Sequence, residues 1–197
     1  MNIGLISDIH CNLSGFRSAL DLLSDCDEIL CAGDLLYQYR FSNEVLELIQ
    51  EHGVRAIVGN HDKTILHTPF HPLRDSPTID ASQMRYLAEL PSELIIDLGG
   101  LRLAMFHGSP WDEAGSIQAQ YVYPTDHSTL RRMSNVEADV IVLGHTHIPF
   151  HMTVGQALVV NSGSCGECRD GTETLSCMRL DTATREIELR RFPVTRA

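Results

Sequence analysis

The first sixty residues alternate apolar runs with segments of helical spacing, and this alternation constrains the fold more than any other feature of the chain. Ile3–Ser7, Glu28–Ala32 and Val54–Val58 are short apolar runs of strand length. Between them, Leu13–Leu23 carries apolar residues at helical spacing, with Ser14 as its N-cap. Ser42–Glu51 places Val45, Leu46, Leu48 and Ile49 on one helical face, with Gly53 past its end. Strand, helix, strand, helix, strand demands crossover connections, which are right-handed and produce a parallel sheet. Lys63–Thr78, with Pro69, Pro72 and Pro77, reads as a loop that could serve as a lid. Ala81–Leu90 reads as a helix stopped by Pro91, and Glu93–Leu98 pairs with Leu101–Phe106 across a two-glycine turn. Thr125–Asn135 is a further helix; Asp139–Leu143, Ala157–Val160, Thr174–Leu180 and Glu186–Arg191 supply the remaining strands. No repeat or linker divides the chain, so one domain over residues 1–197 is expected.

Polar residues stand just past the strands. Asp8 and His10 follow the first run, Asp34 the second, Asn60 and His61 the third. His107 follows Leu101–Phe106, and His145 and His147 follow Asp139–Leu143. Ligands of open α/β sheets bind at the carboxyl ends of strands. In an extended chain residues i and i+2 point the same way, so His145 and His147 are expected to project together. Any one of these residues is as readily a cap or a solvated loop group; their recurrence at five strand ends indicates a site. Carboxylate, amide and imidazole donors together suit Mn²⁺, Fe or Zn²⁺. Seven donors exceed one tetrahedral site and suffice for two ions sharing a ligand. Two such ions about 3.5–4 Å apart clamp an in-line displacement at phosphorus. With Asp8, Asp34 and a shared hydroxide they leave a net charge of about +1, which attracts phosphate.

The chain as a whole is acidic: 15 Lys+Arg against 26 Asp+Glu give −11. That argues against duplex nucleic acid, whose binding rests on neutralising phosphates, and leaves room for a small phosphorylated substrate. No apolar run approaches the length of a membrane span, and the start lacks a basic segment followed by a long apolar one. No membrane partner and a cytoplasmic location are expected. The six cysteines are then reduced thiols and not a disulfide framework.

Asp8-Ile-His10, Gly33-Asp34, Gly59-Asn-His-Asp62, His107-Gly108 and Gly144-His-Thr-His147, in this order and spacing, resemble the calcineurin-like metallophosphoesterase superfamily from residue 1 to about residue 192. Ser7-Asp-Ile-His-Cys-Asn-Leu13, Asn43-Glu-Val-Leu-Glu-Leu48, His107-Gly-Ser-Pro110 and Asn161-Ser-Gly-Ser164 with Arg169-Asp-Gly171 are similar to its small, compact bacterial and archaeal branch. The resemblance implies a four-layer α-β-β-α sandwich. It implies that Asp8, His10 and His147 hold one divalent ion, that Asn60, His107 and His145 hold another, and that Asp34 bridges them. Manganese is the first expectation, with Fe, Zn²⁺ or Ni²⁺ as alternatives. His61 would protonate the leaving oxygen after attack by a metal-bridging hydroxide, and Asp62 would support the loop. The substrate implied is a phosphodiester or nucleotide-like ester. The alternatives are phosphomonoester or phosphoprotein hydrolysis, and a non-catalytic scaffold such as the retromer subunit of this fold; the full ligand set and His61 favour an enzyme. Two positions depart from the pattern. Cys11 stands where the branch usually has Gly, which bears on the turn after His10. Tyr37 replaces the acidic partner that the larger phosphatases supply to the catalytic histidine, so His61 must be oriented in another way.

Other residues invite weaker readings. Cys165 and Cys168 form C-x-x-C without the second pair that a zinc knuckle needs, and are read as structural. Arg169 could reach a substrate phosphate or serve only a loop salt bridge. Trp111, Tyr121 and Tyr123 could form an aromatic wall, with core packing the plainer role. His52, His67, His71, His127 and His151 are read as surface or loop groups.

Overall fold

The computed structural model describes residues 1–112 and 116–194. Two five-stranded sheets pack face to face. In the first, β1 (Asn2–Ile6), β2 (Glu28–Cys31) and β3 (Arg55–Ala56) run parallel, and β9 (Thr174–Asp181) and β10 (Ile187–Pro193) complete the order β10-β9-β1-β2-β3 by antiparallel pairing. In the second, β5 (Leu101–Phe106), β6 (Val140–Leu143) and β8 (Ala157–Asn161) are parallel, with β4 (Glu93–Leu98) and β7 (Phe150–Val154) as antiparallel edges. Helices α1 (Leu13–Leu22), α2 (Asn43–Glu51), α3 (Asn60–His67) and α4 (Ala81–Glu89) contribute to the core outside the first sheet, and α5 (His127–Met133) covers the second. The result is the expected α-β-β-α sandwich.

Strand alternation sorts the side chains into three cores. Ile3 and Leu5 of β1, Leu103 and Met105 of β5 and Val140 and Val142 of β6 meet between the sheets. Ile6 turns outward to Phe16 and Leu23, and Ile141 and Leu143 turn outward to Leu130 and Met133. Strands apolar on both faces are what a sheet covered on both sides requires. A Leu103→Ala truncation in the middle layer would cost about 2–5 kcal/mol.

Five local expectations are revised. The cap of α1 is Asn12 and not Ser14: the Asn12 side chain accepts from the Gly15 N–H at 2.9 Å, and the Ser14 hydroxyl donates to the same oxygen. Regular pairing of β3 stops at Ala56, because the Val58 N–H turns to the Pro91 carbonyl. The segment read as a loop from Lys63 begins within α3 and includes a 3₁₀ turn at Pro72–Asp75. Helix α3 escaped detection because Asn60–His67 has no apolar stripe; Ile65 is its one buried hydrophobic residue. Strand β7 was missed because its exposed edge, with His151 and Thr153 outward, resembles loop composition. Cys11 keeps the turn after His10 in the left-handed region (φ 61°), its N–H bonded to the Leu35 carbonyl. A glycine would adopt that conformation freely; cysteine does so at about 1 kcal/mol or more.

Candidate metal centre

Both parallel triplets end at one edge, and short backbone bonds lock the two sets of strand ends together. The Asp8 N–H donates to the Gly33 carbonyl and the Gly144 N–H to the His107 carbonyl, each at 2.9 Å. The His145 N–H crosses between the sheets to Asp8 Oδ2 at 3.0 Å. Five of the expected ligands, Asp8, His10, Asp34, His145 and His147, have φ between 49° and 69°. Non-glycine residues in this region cost of order 1 kcal/mol or more each and persist where surrounding structure over-determines them. The left-handed turns are what swing these side chains inward from the strand ends. His145 and His147 therefore do not converge by strand alternation, as the sequence suggested. Strand β6 stops at Leu143, and the Asn161 amide donates to the Gly144 carbonyl (2.7 Å) and the Thr146 hydroxyl (3.1 Å) to shape the turn. Gly59 permits the close approach of the third strand end: a Cβ there would lie 2.2 Å from Asp34 Oδ1.

The side chains meet in groups whose candidate donor atoms lie within 4.8 Å of one another: Asp8, His10 and His147; Asp34, His107 and His145; and His10, Asp34 and His61. Asp34 Oδ2 is the common point, 3.2 Å from His107 Nε2 and 3.9 Å from both His10 Nε2 and His61 Nε2. Asn60 Oδ1 lies 3.0 Å from His107 Nε2. The seven expected ligands and His61 are thus brought together.

These residues fit divalent cations. His107 Nδ1–H donates to the Ala32 carbonyl (2.7 Å) and His147 Nδ1–H to the Glu167 carbonyl (2.9 Å), so in the neutral rings both Nε2 lone pairs face inward. His147 Nε2 meets His10 Nε2 at 3.0 Å and Asp8 Oδ1 at 3.3 Å. Among the described residues, Asp8 Oδ1 and His145 Nε2 are buried without a hydrogen-bond partner. Acceptors facing acceptors in a buried site repel unless a proton or a cation lies between them.

Protonation in the absence of an ion shows the same need. Burial opposes a charge on His107, yet Asp34, its hydrogen bond and Asp8 push the imidazole up to about 9. Burial likewise opposes a charge on His147, but Asp8 raises it. His145 has less compensation: burial and the neighbouring His107 bring it down to about 4. Asp8 and Asp34 resist the upward push of burial and stay below the usual carboxylate range because imidazoles surround them. Asp62 lies deeper, where burial and Asp34 push it up to about 7 against the N–H groups of Gly59, Leu35 and Leu36, which donate to it at 2.9–3.1 Å. It ties the start of α3 to the loop after β2.

Less buried side chains border the centre. His61, with 14% of its side chain exposed, is more open than His10, His107 or Asp34. Where the larger phosphatases use a carboxylate, the Gln38 N–H donates to His61 Nδ1 at 3.1 Å and the Tyr37 ring packs 4.8 Å from the imidazole. Glu167 and Tyr121 also reach the site: Glu167 Oε2 lies 4.0 Å from His10 Nε2, and the Tyr121 ring stacks on His145 at 4.0 Å. Sequence reasoning passed over Glu167 because no strand-end pattern marks it. Trp111 is part-buried against the core beneath α5, with the Arg132 guanidinium 4.0 Å from its ring.

The profile of the calcineurin-like phosphoesterase superfamily domain matches residues 1–185. A probable metallophosphoesterase of Methanothermobacter thermautotrophicus is 27% identical over 203 residues, covering 100% of this chain and 97% of that protein. A metallophosphoesterase structure from Sphaerobacter thermophilus superposes with a TM-score of 0.77 at 22% identity, over 98% of this chain and 88% of that one. The structure of an archaeal phosphodiesterase gives a TM-score of 0.65 at 20% identity, over 98% and 100%. The chain belongs to the calcineurin-like phosphoesterase superfamily. No helix among the described residues is long and apolar enough to cross a membrane.

Proposed function

We propose that this protein is a phosphoester hydrolase working with two divalent ions, and that its substrates are phosphodiesters or nucleotide-like esters. The observation that carries the reading is the position of Asp34 Oδ2 between two groups of inward-facing nitrogen and oxygen acceptors. Asp8, His10 and His147 would hold one ion and Asn60, His107 and His145 the other, with Asp34 shared. Divalent ions held there would supply Lewis-acid polarisation of phosphoryl oxygens and a lowered water pKa. The chain itself contributes orientation and a proton. The bonds from His107 and His147 to backbone carbonyls fix their rings, and the Asp62 bonds fix the loop that carries His61. His61 is partly exposed and keeps Nε2 within 3.9 Å of Asp34 Oδ2 while Gln38 holds Nδ1, so we assign it the proton that the departing oxygen takes up. A scaffold would not require a complete set of buried acceptors or the strained turns that aim them.

The test is hydrolysis of bis(p-nitrophenyl) phosphate and p-nitrophenyl phosphate by chelator-free protein with added Mn²⁺, with elemental analysis in parallel. Two ions per chain and faster diester turnover are expected. A protein that holds two ions and hydrolyses neither ester refutes the enzymatic reading; a strong monoester preference refutes the substrate class.

A further inference from the structure

We propose that Arg169 and Tyr121 form a two-part receptor at the opening of this site, the guanidinium for a phosphate oxygen and the phenol ring for a flat aromatic group, so that aryl or nucleoside phosphates are the preferred ligands. The proposal rests on the phosphoester reading of the same site and names its ligand class.

Core packing does not account for Tyr121. The residue is 51% exposed and Tyr123 is 39% exposed, while their rings lie nearly parallel, 10° apart and 5.8 Å between centroids. Tyr121 is at the same time stacked on His145, at 4.0 Å and 22°. An exposed aromatic ring fixed against a candidate metal ligand is a platform beside the reaction centre. Bases and aryl groups gain about tenfold or more in affinity from such a surface, irrespective of sequence, because every base has a π-face. An alkyl group in the same place has no π-face to offer.

Arg169 lies on the loop after β8. Its guanidinium donates to Glu167 Oε2 at 2.8 Å, and that carboxylate oxygen is 3.9 Å from His147 Nδ1 and 4.0 Å from His10 Nε2. One carboxylate thus separates the guanidinium from the expected ligands of the first ion. A loop bridge between groups 39% and 44% exposed has little stabilising value by itself. Guanidinium has five N–H donors, and Glu167 is its one hydrogen-bond partner among the described residues, so donors remain for a second anion. Tyr121 thus borders the centre at His145, and Arg169 borders it through Glu167 beside His147 and His10, so both residues stand at the margin of one site. On a chain of net charge −11, a local cation of this kind adds to the attraction that bound metals would exert on an anion.

The test uses ligands that cannot be hydrolysed. Benzylphosphonate and ethylphosphonate are titrated calorimetrically into Mn²⁺-loaded protein, for the wild type, Tyr121→Leu, Tyr121→Phe, Arg169→Ala and Arg169→Lys, with metal content measured for each. The wild type should bind benzylphosphonate about tenfold tighter than ethylphosphonate. Tyr121→Leu, which keeps apolar cover over His145 without a π-face, should lose most of that margin, and Tyr121→Phe should keep it. Arg169→Ala should weaken both ligands about tenfold or more, and Arg169→Lys should recover part of the loss. Equal affinity of the wild type for the two phosphonates overturns the proposal, whatever the variants do. So does a margin that survives in Tyr121→Leu, or unchanged affinities in Arg169→Ala. These affinities in a protein that cleaves no phosphoester would overturn the hydrolytic reading alone.

Discussion

Replacing His61 by alanine separates two roles that the geometry allows, and their magnitudes differ. In the structure the Gln38 N–H donates to Nδ1, so the neutral ring carries its proton on Nε2, 3.9 Å from Asp34 Oδ2. If Nε2 only donates a hydrogen bond to a phosphoryl oxygen, its loss costs about 1.5–3 kcal/mol. That is about a 10- to 150-fold loss in kcat/KM, whichever group departs. If His61 delivers a proton to the leaving oxygen, the loss is about 10²–10⁴-fold for an alkoxide and small for nitrophenolate, which departs without help. Full transfer needs the imidazolium, and its Nδ1–H must turn from the Gln38 N–H. Burial already lowers the pKa of His61 below its ordinary value, with Asp34 as the main opposing influence. The charged form therefore disappears as pH rises through that lowered value. Wild-type rates on alkyl esters should fall over the same range, and the His61→Ala profile should lack that limb. The assay is kcat/KM for a methyl diester and a nitrophenyl diester between pH 5 and 9, with metal content checked. Equal losses on both esters, with two ions retained, would falsify the acid role and leave His61 as a phosphate-binding donor.

Asp34→Ala should lose both ions, because Oδ2 lies within reach of both groups of acceptors; elemental analysis finding two tightly held ions would remove the bridging assignment. The metal-free protein should lose stability as pH rises. The His107 pKa is raised to about 9, so its contribution, on the order of 3 kcal/mol, is complete below about pH 6.5 and gone above 9. Mn²⁺ should abolish that slope in thermal melts, and a metal-free Tm that climbs from pH 6.5 to 9 contradicts the reasoning. Cys11 should resist alkylation at neutral pH, since burial pushes its thiol up to about 11 and Sγ is bonded to the Arg40 carbonyl. Peptide mass spectrometry showing rapid modification of Cys11 would contradict that burial.

The sequence by itself determined the alternation of strands and helices in the first sheet, because strand and helix periodicities depend on local spacing: β1, α1, β2 and α2 are legible in apolar positions alone, whereas the four-layer sandwich followed from the resemblance of the motifs. It also determined which side chains could form the centre, since Asp8, Asp34, His107, His145 and His147 each follow an apolar run that ends in a turn. Where the pattern lacks an apolar stripe, as in α3 and the exposed edge β7, the element was invisible. Only the tertiary structure decided how the centre is aimed. Left-handed turns at five ligand positions, the Asn161 bonds that shape the His145 turn and the Gln38 bond to His61 depend on contacts between segments remote in the chain. The same holds for Tyr121 on His145 and for Glu167 beside His10 and His147, each pair distant in sequence. Periodicity records which face of an element is buried; it carries no information about which loops from two different sheets share an edge.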